Sequence, residues 1–337
     1  MKIVLACRVY PTQRLGGMPL VTQNRAEALV RMGHEVHVLT TSHPTACAVV
    51  DHNGVTVHHL SCPPQAYSAD YAKECCWAAK SIGPDILHLD SFDRANPWWQ
   101  SVPCKYTACT MHGFTPSEFF TKWNLFRLGW EKTPPVWNHE KMLAEIAVMR
   151  TFTSAVIGVT AHETWFLSDV YGLERAKEVP NPIAPFFFSR ELTPAPQNGP
   201  FLCAAVSGEA VRGFGLAEKA CAAAGVELIT ASKIPHDQMP ALYDRCRALI
   251  VPTCHATGFD TTIYEALARG RGALVTETGG YYHASDIFSG ITPIRMGSLE
   301  SLTAAIRSYS PRELPRYAIM RHHSDTHASD WLTAILG

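Results

Sequence analysis

The sequence predicts an α/β protein made of two doubly wound domains facing each other across a cleft. Three observations carry this. Short, continuously apolar runs alternate with helical patterns through the first half of the chain, as in a parallel sheet covered on both faces. A break follows, with Pro180, Pro182, Pro185, Pro194 and Pro196 around Phe186-Phe187-Phe188, and prolines deny a continued helix. The alternation then restarts. A length of 337 residues suits two domains of roughly 150 residues each.

In chain order, the first-half runs that read as strands are residues 2–7, 35–40, 55–60, 85–89, 106–111 and 155–159. The clearest helix runs from Met18 to Met32 and stops at Gly33, a C-terminal capping position. Beyond the break come strand 201–206, helix 215–224, strand 226–231, helix 237–246, strand 248–252, helix 261–269 and strand 273–276. The last stretch ends in a short helix carrying Trp331, Leu332 and Ile335. The expected organisation is a first domain over 1–183, a linker over 184–200 and a second domain over 201–310. A terminal segment, 311–337, is expected to pack back on the first domain.

Composition narrows the function classes. With 47% apolar and 18% charged residues the chain is globular, neither disordered nor fibrous. A net charge of −1 without a basic block gives no support to strong duplex nucleic-acid binding, though a local basic groove stays open. The opening MKIVLACRVY is too brief for a signal sequence, and no run reaches the roughly 18 apolar residues of a membrane span. Eleven cysteines without a C-x-x-C pair read as free, mostly buried thiols in a reducing cytoplasm. No H-E-x-x-H appears, so the spacing gives no support to a zinc site.

Ligands of open parallel sheets bind at the carboxyl ends of strands, where loops meet helix N-termini. Four places there could carry chemistry. Gly16-Gly17 follows the first strand and precedes the first long helix. It is either a plain tight turn or a point of close backbone approach to an anion. Ser207-Gly208-Glu209-Ala210-Val211-Arg212-Gly213-Phe214-Gly215 follows the first strand of the second domain, and Arg212 is placed to grip phosphate unless it is merely solvated. A dinucleotide fingerprint fits poorly, because Glu218 stands at the third glycine position. His112-Gly113 closes the run YTACTM, where the histidine either faces the expected cleft or is simply structural. Finally, HATGFDTTIYEALARGRGALVTETGG places Glu265 early on a helix. Glu265 either forms an exposed pair with Arg269, four residues on, or accepts the hydroxyls of a ribose.

Taken in this order, the stretches resemble the family-4 retaining glycosyltransferases of the GT-B fold. The resemblance runs through MKIVLACRVYPTQRLGG, RMGHEVHVLTT, PDILHLDS, TACTMHGF and SAVIGVTAHETWFLSDVYGLERAKEVPNPI, then RGFGLAEKA, MPALYDRCRALIVPT, GFDTTIYEALARGRGALVTETGG and the segment with Trp331. It implies a nucleotide-sugar co-substrate, UDP- or GDP-linked, with no further cofactor. It implies that Glu265 matches the second Glu of the family's Glu-x7-Glu motif and holds the donor ribose. Gly258, Phe259, Asp260 and Thr261 match the loop whose amides meet the sugar and phosphate. Arg212 matches the basic residue on the diphosphate, Gly16 and Gly17 the first-domain loop near the phosphates, and His112 the histidine beside the transferred sugar. Retention is implied to proceed by front-face attack, a leaving phosphate oxygen taking the acceptor's proton, without metal. Three departures stand out. Thr257 occupies the place of the motif's first Glu and Ser207 that of a usual Arg. The chain between the strand over 226–231 and Met239 is also short, where the family has a further helix and strand.

The acceptor side is the least transferable. Residues 118–141 interleave Phe119, Phe120, Trp123, Phe126, Trp130 and Trp137 with Lys122, Arg127, Lys132 and Lys141. The segment could stack sugars or bases, touch a membrane surface, or simply pack on the sheet. Three functions follow: a glycosyltransferase acting on a glycan, glycolipid or small molecule; the same chemistry on a modified base in DNA; or a non-catalytic sugar-nucleotide-binding protein. The expected location is the cytoplasm, with contact to a membrane surface left open.

Overall fold

A computed structural model describes every residue except 14, 15, 44–47, 65, 91, 93–95, 190, 205–209, 232, 233, 257, 259, 282–284, 286, 287, 313 and 315. Along the described chain the strands are β1 (Lys2–Ala6), β2 (Glu35–Thr40), β3 (Val49–His52), β4 (Val55–His59), β5 (Ile86–Asp90), β6 (Tyr106–Met111), β7 (Ala155–Gly158) and β8 (Ala176–Glu178). They continue with β9 (Phe201–Cys203), β10 (Leu228–Thr230), β11 (Ala248–Val251), β12 (Gly272–Thr276) and β13 (Ile291–Ile294). The helices are α1 (Gly17–Arg31), α2 (Ala69–Ile82), α3 (Thr115–Arg127), α4 (His139–Met149), α5 (Ala161–Trp165), α6 (Phe186–Ser189), α7 (Phe214–Ala224), α8 (Met239–Arg245), α9 (Thr261–Ala268), α10 (Leu299–Ser308) and α11 (Ser324–Leu336).

The chain forms two units. The first comprises Met1–Phe114, Asn138–Ile183 and Ser324–Gly337. Its sheet runs β3-β4-β2-β1-β5-β6-β7-β8, parallel except for β3 against β4. The period of two along each strand explains why these runs are apolar throughout. In β1, Val4 and Ala6 join one buried cluster with Leu87, Trp99 and Phe152, while Ile3 and Leu5 join the other with Val36, Val38 and Trp331. The second cluster includes α11, whose Trp331, Leu332 and Ile335 are buried there.

The second unit comprises Thr115–Trp137 and Ala184–His323. Its five-stranded sheet runs β10-β9-β11-β12-β13, all parallel. Both units are thus Rossmann-like, as the fold class requires. Helix α3 belongs here: Thr121 Oγ1 accepts from the Ala256 amide at 2.9 Å, and Asn124 Nδ2 donates to the Cys254 carbonyl at 3.0 Å and to Thr278 Oγ1 at 2.9 Å. Three strands are absent from the sequence reading: β3, β8 and β13. All are sheet-edge strands with polar or broken patterns, and β13 contains Pro293, which an edge tolerates because it lacks a ladder donor. Between β10 and α8 lies only the short 3₁₀ turn His236–Gln238 among the named elements. Among the described residues the cysteines are free thiols, and burial pushes Cys221 and Cys254 up to about 11 and Cys246 up to about 12. No helix of the described residues is long and apolar enough to cross a membrane.

Candidate functional site

In the second unit the strand order 2-1-3-4-5 reverses between β9 and β11, the position where such sheets bind ligands. The loop after β9 carries Arg212 and the loop after β11 leads into α9. Gly213 turns the chain into α7 with φ of 73°, and a Cβ there would stand 2.1 Å from the Pro252 carbonyl oxygen. Gly215 has nothing within 4 Å of its Cβ position. Gly213→Ala should therefore destabilise by more than the roughly 1–2 kcal/mol of a left-handed residue, while Gly215→Ala should be neutral or slightly stabilising. Thermal melts of the two variants check this, and equal melts would contradict the assignment.

Arg212 Nη1 donates to Asp260 Oδ1 at 3.1 Å, with the Arg side chain 39% exposed. Asp260 is the residue before α9, and its amide donates to Tyr281 Oη at 3.3 Å. Burial, and then the Asp260 carboxylate, hold the Tyr281 phenol protonated well above its usual range. Thr261 opens α9, and Gly258 takes a φ of 43° in the loop before it. Ser207, Thr257 and Phe259, which the sequence analysis assigns to the donor, lie outside the described residues.

Helix α9 is buried from Ile263 to Ala268, with Ala266 and Ala268 allowing close packing. Glu265 sits within it at 3% exposure. The exposed Glu265–Arg269 pair is not formed. Arg269 lies at the helix C-cap, outside helical backbone geometry, and donates from Nε and Nη2 to the two oxygens of Asp244, both at 2.9 Å. Glu265 instead accepts at Oε1 from His236 Nε2 and at Oε2 from Tyr243 Oη, both at 2.9 Å. Burial first, then the Glu265 charge, raise the Tyr243 phenol well above its usual range, so it stays a donor. Sequence reasoning missed His236 and Tyr243, which lie 29 and 22 positions from Glu265 with no local pattern linking them to it.

The first unit has its own reversal between β1 and β5. Gly16 is extended, and a Cβ on Gly17 would meet nothing within 4 Å, so the fold itself demands neither glycine. At the end of β5 the buried Asp90 accepts from Arg25 Nη1 at Oδ1 and from Thr22 Oγ1 at Oδ2, both at 2.7 Å. His112, just after β6, brings Nε2 to 3.5 Å from Asp90 Oδ1. Arg25 Nε also reaches His327 Nε2 at 3.2 Å, and His327 Nδ1 meets the Pro180 carbonyl at 2.8 Å. Neither Arg25 nor Asp90 was singled out from sequence, although a polar pair inside apolar patterns was visible there.

Burial works to raise the Asp90 carboxyl, but the Arg25 guanidinium beside it, helped by His88 and His112, outweighs this and holds it well below the carboxylate range. Burial pushes neighbouring His88 down to about 3, opposed by Asp90 and helped by Arg25 and His112. In the unfolded chain a histidine titrates near 6.5, so between about 6.5 and 3 the unfolded state binds more protons, and stability falls as pH falls. The melting temperature should drop through that window, and His88→Gln should flatten the drop. An unchanged slope would count against a neutral buried His88.

The aromatics of residues 118–141 divide between contact and exposure. Phe119 stacks on Trp123 and meets Trp137 edge-on, while Trp123, Trp130 and Trp137 stay 38%, 42% and 39% exposed. Trp123 lies on α3, and all three belong to the second unit.

A family model described as Glycosyltransferase Family 4 matches residues 15–185, half of the chain. No curated protein matches the sequence. Among solved structures, a sucrose-phosphate synthase from Thermosynechococcus elongatus is similar at a TM-score of 0.72 and 13% identity, covering 99% of this chain and 94% of that one. HepE from Anabaena, in complex with UDP and glucose, is similar at 0.60 and 12%, covering 98% and 95%. WaaG, a glycosyltransferase involved in lipopolysaccharide biosynthesis, is similar at 0.58 and 14%, covering 97% and 93%. At these identities the structural likeness concerns the fold.

Proposed function

The chain belongs to glycosyltransferase family 4, enzymes that move a sugar from a nucleotide-sugar donor, and we propose that it does so with retention, without metal, to a hydroxyl acceptor. The observation that carries the donor reading is Glu265: a buried carboxylate on α9, whose preceding residue Asp260 pairs with Arg212. A carboxylate accepts from vicinal hydroxyls, and a guanidinium grips phosphate oxygens. A nucleoside diphosphate offers both groups.

In this reading Glu265 holds the ribose, and Arg212 exchanges its Asp260 contact for the diphosphate. Gly258, Asp260 and Thr261, with Ser207, Thr257 and Phe259, complete the donor's surroundings. From the first unit, Gly16 and Gly17 admit phosphate oxygens close to backbone amides, and His112 contacts the transferred sugar. The acceptor oxygen attacks the anomeric carbon on the face that the diphosphate leaves. The bond from that carbon to the phosphate oxygen breaks, and a phosphate oxygen takes the acceptor proton. The cation and the helix N-termini offset the leaving charge. The UDP in the HepE complex supports a UDP-sugar, with a GDP-sugar the other candidate. The acceptor is a glycan, glycolipid or small molecule. The exposed Trp123, Trp130 and Trp137 beside Lys122, Arg127 and Lys132 support a glycolipid at a cytoplasmic membrane surface.

Thermal melts against UDP, GDP and ADP and their sugars, without added metal, test the reading. A rise in the midpoint with one nucleoside diphosphate and its sugar is expected by mass action. No rise with any of them, together with no donor hydrolysis, would leave a protein that does not bind or turn over these donors. Arg212→Ala should weaken the diphosphate about ten-fold or more while barely changing the nucleoside. Equal losses for both would remove Arg212 from the phosphate.

A further inference from the structure

The ribose role of Glu265 proposed above leaves a physical question: what aims a glutamate whose side chain has three rotatable bonds? The structure answers with two ring-borne donors. His236 stands on the short turn between β10 and α8, its Nε2 2.9 Å from Glu265 Oε1. Its ring is wedged against Phe186 and Phe187, with centroids 5.2 and 5.3 Å away. Tyr243 projects from α8, and its hydroxyl reaches Glu265 Oε2 at 2.9 Å while also lying 3.2 Å from the Thr262 carbonyl. A carboxylate oxygen only accepts, so His236 carries its proton on Nε2. Each Glu265 oxygen thus gives one acceptor direction to the protein and keeps one. Two remaining acceptors, one per oxygen, match two vicinal hydroxyls.

We infer that His236, together with Tyr243, is a positioning residue that orients the Glu265 carboxylate for a ribose. His236 comes from the short turn between β10 and α8, so that connection supplies the support for the ribose acceptor. The inference rests on the ribose reading of Glu265, and the test separates the two.

Isothermal titration of the full chain with UDP, GDP and ADP and with their 2′-deoxy forms gives a ribo/deoxy affinity ratio. The wild type should favour the ribo form of its nucleotide by about ten-fold or more. His236→Ala should cut that ratio about five-fold or further. His236→Gln, which keeps an N–H donor, should restore most of it. Tyr243→Phe, which keeps the ring and removes only the hydroxyl, should also lower the ratio and guards against a misfolded His236→Ala. A purely structural role would move melting temperatures without touching the ratio. If the wild type binds a nucleotide but shows no preference for ribose, the Glu265 reading falls and this inference with it. If the wild type discriminates and both His236→Ala and Tyr243→Phe discriminate equally well, the inference alone falls. No binding of any of the nucleotides overturns both.

Discussion

Glu265→Gln lowers affinity for the bound nucleoside diphosphate by roughly ten- to a hundred-fold in a titration, with little change for inorganic diphosphate. The magnitude discriminates between two roles. An exposed helix pair is worth about 0.3–0.5 kcal/mol and would not register in ligand binding. A hydrogen bond to a charged group contributes about 1.5–3 kcal/mol. Glu265 is 3% exposed and bonded to His236 and Tyr243. The amide of the variant would present an N–H₂ to one of those donors, so the apo protein should also lose roughly 1–3 kcal/mol. Unchanged nucleotide affinity in a folded Glu265→Gln would break the ribose assignment.

Asp90→Ala lowers the stability of the first unit by about 3–5 kcal/mol, seen as a melting temperature roughly 6–20 °C lower. Arg25 and Asp90 side chains are fully buried, 2.7 Å apart, so removing the acid strands a guanidinium in the core. An exposed pair of the same geometry would cost about 0–1 kcal/mol. Replacing both partners, Arg25→Met with Asp90→Leu, should recover most of the loss, because the penalty lies in the uncompensated charge rather than in the pair's net attraction. A double variant as unstable as Asp90→Ala would instead point to lost polar contacts with Thr22, His112 and His327. The same network joins α1, β5 and α11 to His112, so the single variant should also disturb the position of that histidine.

Much of the architecture was legible because its determinants are local. Strands buried on both faces announce themselves as short apolar runs, as at β1, β5, β6, β11 and β12. The edge strands β3, β8 and β13 were not, since an edge needs no apolar pattern and tolerates Pro293. Among the proposed donor residues, Arg212 was picked out by its place after a strand and before a helix, Glu265 by its place early on α9, and Asp260 by the resemblance alone. The partners of Glu265 could not be found this way. His236 and Tyr243 meet Glu265 from 29 and 22 positions away, and no periodicity links them.

From the sequence alone came the two α/β units, the proline break between alternating halves, and the candidate donor residues, all properties of short stretches whose chemistry is set by neighbours along the chain. Tertiary structure decided which side chains those residues hold. It turned Arg269 to Asp244 instead of Glu265, and it set Arg25 on Asp90, 65 positions apart, and gave α3 to the second unit. Such pairings arise when the backbone crosses the sheet and burial obliges every charge to find a partner, wherever in the chain that partner lies.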